Sequence, residues 1–476
     1  MKKVRLVLIS LLMFFAVTGC SNEDKNLLDK DDPTTIQVWH YYNGAQQEEF
    51  NRLVDEFNKT VGKEKGIIVE GSGQGTISDL ERNVLDSING KAGAADIPNI
   101  FAAYGDTAYQ VDKLGYAVDL NKYFSKDELS KYVDGYLEEG HFSSKDTLKI
   151  FPVAKSVELF MLNKTDWEKF ANATGASTND LNTIEGVTKV AEQYYNWTDS
   201  LTAAPNDGKA FFGRDAFANY MLVGYRQLAT DIFSKKDNKI VLNFEADIAK
   251  KLWDNYYVPY ISGYFSSSGK FRSDDIKIGN ILACVSSSSS VTYFPKEVIL
   301  NDEESHSIEL ETFACPKFKD GKDYVVQQGA GMVVLKSEEK EQQAAVEFLK
   351  WFTSDKQNIA FSNASGYLPV TKSANDLDKI TDEVEVNESV KKTLNTSLKM
   401  ISDNNMYTSV PFEKGTDARN VLETTTSNLA KQDRETVITN LSNGMNLEQA
   451  ISQFNNDTYF NQWYTNTKSQ LESLIK

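Results

Sequence analysis

The sequence predicts an α/β fold, and three observations predict it. Strand-like and amphipathic helical stretches alternate in the order β-α-β-α-β after residue 34. A strand followed by a helix returns at 324–352. Hydrophobic residues make up 41% and aromatic residues 11% of 476 positions, enough for two or three packed domains. The first element, "TIQVWHYY" at 35–42, reads as a strand from its β-branched and aromatic content. "QQEEFNRLVDEFNKTVG" then sets Phe50, Leu53, Val54 and Phe57 at helical spacing. "GIIVEG" is the second strand, "ISDLERNVLDSING" the second amphipathic helix and "IPNIFAAY" the third strand. Ligands of such open sheets lie at the carboxyl ends of the strands. There the chain places Trp39, His40, Tyr41 and Tyr42, then "GSGQGT", then Tyr104, Gly105 and Asp106.

From about residue 150 the pattern changes. "LKIFPVAKSVELFMLNK" reads as two short strands around a bend, and helices are predicted over 166–173, 184–197, 213–229 and 245–257. With 27 glycines and 9 prolines in the whole chain, this region is expected to be compact. "ACVSSSSSVTYFP" holds five serines, Ser286 to Ser290, between two apolar patches, so they belong to a turn and not to a tether. If a helix follows, its first turn offers hydroxyls and free backbone N–H groups, which suit a phosphate or a sugar hydroxyl. The alternative is that the serines only cap the helix and face solvent, although capping needs one serine and not five. "YVVQQGAGMVVLK" is a strand with a glycine break, and the following helix turns Ala344, Ala345, Phe348, Leu349 and Phe352 inward. The last hundred residues read as helices joined by polar loops, and there is no internal repeat.

The N-terminus carries Lys2, Lys3 and Arg5, an apolar stretch from Leu6 to Val17, small residues and a cysteine. That is the order of a signal peptide, and the apolar stretch is short for a bilayer span. "VTGC" resembles the lipobox of bacterial lipoproteins, which implies a signal peptide at 1–20, a lipidated Cys20 anchored to the cell membrane and an acidic flexible tether at 21–33. An ordinary cleaved secretory peptide is the alternative. Either way the mature chain is expected outside the cytoplasm.

Composition excludes several chemistries. A formal net charge of −17 repels phosphate backbones, so no nucleic-acid partner is expected. His40, His141 and His306 stand at no metal-ligand spacing, so neither a metal site nor a cofactor is expected. Cys284 and Cys315 could form a disulfide in an oxidising exterior, or Cys284 could be a small core residue. No G-x-S-x-G element is present, and with 68 acidic residues chance carboxylate pairs carry no signal, so the protein is not expected to be an enzyme.

Ordered along the mature chain, "WHYYNG", "EEFNRLVDEFNKT", "IPNIF", "FPVAKSVELFMLNKTDW", "GNILACVSSSSS" and "QQGAGMVVLKSEEKEQQAAVEFLKWFTSDKQNIAFSNASGYLPVTKSANDL" resemble the family 1 extracellular solute-binding proteins of ABC importers. Within that family the resemblance is closer to the glycerol-3-phosphate and carbohydrate binders than to maltose binders. It implies a periplasmic-binding-protein-like fold with a ligand cleft between two lobes, 34–149 plus 312–370 and 150–311 plus 371–476. The implied partners are a carbohydrate-like small molecule and the transmembrane subunits of an ABC permease, with the protein itself a monomer. A surface lipoprotein with a receptor or adhesive role is the alternative, and a secreted glycan hydrolase a more remote one. An aromatic platform would stack on a sugar ring while hydroxyls and amides bond its edge. Trp39, Tyr42, Tyr104 and Tyr367 are the platform candidates, each of which could equally be core, Trp39 above all. By the same resemblance Ser287 and Ser288 would touch ligand in the serine turn. Lys155 and Ser156 align with a ligand-contacting serine pair, and the lysine departs from that pattern in favour of an anion or carboxylated sugar. Gly329 and Gly331 match a glycine turn whose backbone approaches ligand, and Arg419 falls near a phosphate-binding arginine. Ala103 stands where the glycerol-3-phosphate binder has an acidic ligand residue, which argues against that ligand.

Overall fold

A computed structural model describes residues 27–382 and 388–476. The expected signal peptide, Cys20 and the first part of the expected tether lie outside the described residues. Two sheets organise the rest. In the first, strand Thr34–His40 runs parallel to both Ile67–Gly73 and Ile100–Ala103, and Gly331–Val334 closes the other edge antiparallel to Ile100–Ala103. The periodicity of Phe50, Leu53, Val54 and Phe57 sets one face of helix Gly44–Lys59 against this sheet. Phe57 meets the ring of Phe348 edge-on at 5.2 Å, which joins that helix to Glu339–Phe352. Each ring so buried contributes about 3–5 kcal/mol against truncation to alanine.

The second sheet is built around Ser156–Asn163, whose eight residues are all buried. Ala283–Ser287 pairs with it antiparallel on one side, Leu310–Ala314 and Tyr324–Gln328 on the other, and Phe212–Arg214 and Asn405–Tyr407 lie at the edges. A helical layer covers this sheet, including the 28-residue helix Gly415–Ser442.

Three expectations shift. Strands within 312–328, a stretch expected in the first lobe, belong to the second sheet, and the chain enters the first sheet only at Gly331. The glycine break in "QQGAG" is therefore a passage between sheets. The helix expected over 213–229 begins at Phe217, because Phe212–Arg214 is a strand beside Ala283–Val285. Gly213 admits that strand, since a Cβ there would meet the Ser266 carbonyl at 2.4 Å. The two strands expected around the bend at 150–163 reduce to one, preceded by single bridges from Phe151 to Met332 and from Lys155 to Leu368.

The disulfide alternative fails on register. Cys284 lies opposite Met161 on one side of the central strand, while Ala314 lies opposite Leu159 on its other side. Two strand spacings, about 9–10 Å, separate those positions, beyond the reach of a disulfide. Cys284 and Cys315 are free thiols, and burial pushes Cys284 well up, as befits a core residue.

Candidate functional site

The first sheet ends its strands in tyrosines. Strand Thr34–His40 gives way to Tyr41 and Tyr42, and Tyr104 caps the helix Gly105–Lys113 after the third strand. Tyr367 follows Gly366, whose φ of +70° ends helix Asp355–Ser365 in the left-handed region that glycine adopts freely. The Tyr41 and Tyr367 hydroxyls stand 3.5 Å apart, and the Ala330 amide donates to the Tyr41 hydroxyl at 3.4 Å. Tyr104 is 38% exposed, whereas Tyr42 is buried among His40, Phe50 and Phe361. Tyr42 and Tyr367, both buried, are thus the support, and half-buried Tyr41 and exposed Tyr104 the surface. Trp39 is buried in the same core.

Facing them is the serine run. Ala283–Ser287 ends in a 3-10 helix, Ser288–Tyr293, in place of the expected α-helix. Ser287 receives the Ser289 amide at its Oγ and donates to Ser156 Oγ at 3.0 Å. Ser289 influences the Tyr367 hydroxyl across the gap, together with Gln46. Ser288 turns the other way: it is fully buried and donates to the Gly366 carbonyl at 3.4 Å. The five serines therefore divide labour, since Ser286 and Ser290 bond each other and Ser286 holds Asp215. Six residues of 3-10 helix carry little dipole, so the turn offers hydroxyls more than an anion-binding end.

Below the serines lies an ionic cluster of which the sequence names only Arg419. Glu158 accepts from Arg214 and from the Asn219 amide, both at 2.8 Å, and Arg419 donates to the Asn219 amide oxygen. Burial pushes Glu158 up, and the Arg214 guanidinium opposes that shift. The available signal was a lone acid inside the apolar run "SVELFMLN". Arg419 sits in the second turn of Gly415–Ser442, near Tyr104 and Asp106. Asp106 approaches the start of that helix so closely that a Cβ on Gly415 would lie 1.9 Å from its carboxylate, and it accepts the Phe412 amide at 3.1 Å. Burial pushes Asp106 up to about 6, while the Phe412 amide and Arg419 pull the other way.

Lys155 is not the free cation that the alignment suggested. Its side chain is 1% exposed, pairs with Glu139 and donates to the Gly329 carbonyl at 2.9 Å. Gly329 has φ +91°, and a Cβ there would meet the Ala154 carbonyl at 2.6 Å, so this turn is closed on protein. Gly331 is likewise packed, against Ile150 and Phe151. Ala103 is buried in its strand, and the acid of this corner is Asp106.

The two sheets' elements touch across the gap. Lys113 pairs with Glu413 at 2.9 Å, Asp106 reaches Phe412, and Tyr367 meets Ser289. Two cavities lie elsewhere: one of about 410 Å³ beside Trp197 and His306, another of about 280 Å³ beside Phe124 and Lys350. Neither is lined by the tyrosines or serines, whose gap is narrowed by these contacts.

None of the curated proteins compared with the chain matches it. Among solved structures, UgpB from Mycobacterium tuberculosis in complex with glycerophosphocholine is similar at TM-score 0.69 and 14% identity, over 93% of this chain and 100% of that one. A cyclic α-maltosyl-1,6-maltose binding protein from Arthrobacter globiformis is similar at 0.66 and 18%, over 93% and 99%. An ABC substrate-binding protein from Listeria monocytogenes in complex with cycloalternan is similar at 0.65 and 15%, over 93% and 100%. These likenesses show the fold, a two-lobed α/β binding-protein architecture. The family model described as bacterial extracellular solute-binding protein matches residues 52–388, and the chain belongs to that family.

Proposed function

We propose that the protein is the substrate-binding lipoprotein of an ABC importer and captures a neutral, hydroxyl-rich carbohydrate or polyol between its lobes for delivery to a membrane permease. One observation carries the reading: half-buried Tyr41 and exposed Tyr104 on one wall, with buried Tyr367 against Tyr41, face a serine turn on the other. The rings cover the apolar face of a sugar, and Ser287 and Ser289 take its hydroxyls. The related structures hold glycerophosphocholine in one case and cycloalternan in another, so the fold alone does not choose the ligand. The charges favour the uncharged class. Lys155 and Arg214 are committed to Glu139 and Glu158, which leaves Arg419 facing Asp106 and Glu158. A phosphate would meet one available cation among several carboxylates.

The lobes on this reading are 34–153 plus 331–370 and 156–328 plus 374–382 and 388–476. Cys20 carries the lipid, and the protein acts as a monomer. Thermal shift of the mature chain against a panel of neutral sugars, polyols and their phosphates tests the ligand class, because a ligand that binds only the folded state raises the melting temperature. Stabilisation by neutral sugars supports the reading. Stabilisation by phosphate esters alone overturns the ligand class, and a panel without any effect overturns carbohydrate capture.

A further inference from the structure

The chain passes between the sheets three times: at 152–155 into strand Ser156–Asn163, at Gly329–Ala330 into Gly331–Val334, and after Leu368 toward the helices that follow. All three passages meet at Lys155. Its amide donates to the Leu368 carbonyl at 3.1 Å and its carbonyl accepts from Leu368 in return. Its ammonium donates to the Gly329 carbonyl and pairs with Glu139. Glu139 opens a 3-10 turn fixed to the first lobe, since the Gly140 carbonyl accepts the Lys149 amide at 2.9 Å and Gly140 lies hard against the Ile150 carbonyl.

We propose that the Lys155–Glu139 ion pair pins the interlobe hinge. It ties the three crossing segments to the first lobe and, through Gly329 and Leu368, fixes Tyr367 on the cleft wall, so it sets the balance of open and closed forms without touching ligand.

Burying a lysine here costs desolvation that an apolar side chain would avoid, so the pair calls for a role beyond packing. The distance laws supply one. Dispersion contacts forfeit a quarter to a half of their strength over a gap of about 0.5–1 Å. Coulomb attraction falls only as the inverse of distance. The pair therefore acts over a longer range than packing does, and it is strongest in the contact arrangement seen here, where the lobes touch, so it weights the closed form. The position also explains why the pair needs no ligand: its acceptors are Glu139 and a backbone carbonyl held in place by the left-handed Gly329. Gly329 in turn abuts Tyr367, whose ring edge would lie 3.1 Å from a Cβ there. Lys155 is thus a positioning residue for the tyrosine wall.

The inference rests on the reading of two moving lobes, and the test separates the two. Spin labels at Glu48→Cys on the first lobe and Lys296→Cys on the second, both exposed, report the interlobe distance of the mature chain by electron resonance. In Lys155→Met and Glu139→Gln the closed population should fall roughly tenfold relative to the open one. Lys155→Arg should restore the wild-type distribution. Should Lys155→Met fail to fold, Glu139→Gln, which keeps size and a hydrogen bond, gives the same reading. Variants that melt earlier but keep the wild-type distances overturn the pin. A wild type fixed at one distance across the carbohydrate panel overturns lobe closure as well.

Discussion

The two walls of the cleft are built on opposite principles. The tyrosine wall is an outgrowth of the first lobe's apolar core: Tyr42 stacks on His40 at 5.1 Å and packs on Phe361 at 5.2 Å, while Tyr104 stands clear of it. The opposite wall is a polar network in which Glu158, Arg214, Asn219 and Arg419 answer one another inside the second lobe. Apolar packing tolerates the loss of one exposed ring, because its neighbours keep their own contacts. A buried ionic network does not, because each member leaves another charge unpaired.

The largest effect should come from breaking the network. Glu158→Ala strands Arg214, which is buried and stacked over Tyr220 at 5.1 Å, with no carboxylate to answer it. The expected loss is about 3–5 kcal/mol of folding stability, read as an earlier urea midpoint. Glu158→Gln should recover part of it through Asn219. An unchanged midpoint for Glu158→Ala would mean that water already screens the pair.

Beneath the tyrosine wall, His40 supplies a second stability effect. Its ring is 1% exposed, its Nδ1 accepts the Tyr42 amide at 3.2 Å, and burial holds it down at about 4. The unfolded chain takes up a proton at about 6.5 and the folded one only near 4. Stability is therefore full above 6.5 and is lost as pH falls toward 4, by up to about 3 kcal/mol for one group. His40→Gln, measured by melting at pH 7 and pH 4.5, should flatten that slope. A slope equal to wild type would place the acid sensitivity elsewhere.

Tyr104→Ala should separate the walls most plainly. Since the ring is partly exposed, the variant should melt within about 1 kcal/mol of wild type. Affinity for a sugar found by the panel should fall by about 1–2 kcal/mol, near tenfold, in titration calorimetry. A stability loss without an affinity loss would move Tyr104 from platform to scaffold.

How much of this was legible in the sequence follows the same division. The first lobe was readable because its strands and helices repeat with periods of two and 3.6, and Phe50, Leu53, Val54 and Phe57 announce their face. Tyr41, Tyr42 and Tyr104 were readable as strand ends. The ionic wall was not, because Glu158, Arg214, Asn219 and Arg419 meet from four distant segments, and no spacing encodes pairing over such separations. Lys155 misled for a related reason: its neighbour Ser156 does join the serine turn, but one residue earlier the chain is still in the crossing, and its side chain turns to Glu139. The serine run was legible as a turn, while its outcome, one hydroxyl buried and others in the cleft, depends on Gly366 packing from the other lobe.

The smallest effect concerns the seam where the walls meet. Asp106 of the first lobe reaches the Phe412 amide of the second, and burial raises its carboxyl to about 6, with Glu81 and Glu139 adding repulsion. A carboxyl raised above its unfolded value favours the closed, folded arrangement when protonated. Its contribution is therefore present at acidic pH and is lost as pH rises through about 6. This sign is opposite to that of His40, so the two offset each other in global melting, while Asp106, which spans the seam, also acts on closure. Lowering pH from 7 to 5.5 should tighten interlobe contact and raise sugar affinity by a factor of a few, equivalent to about 1 kcal/mol. Asp106→Asn, which stays neutral and can still accept the Phe412 amide, should show the tight value at both pH values. If the variant keeps the wild-type pH dependence of affinity, the titrating group of the seam is Glu81 and not Asp106. Burial raises that carboxyl too, and a hydrogen bond with the Thr107 side chain opposes the shift.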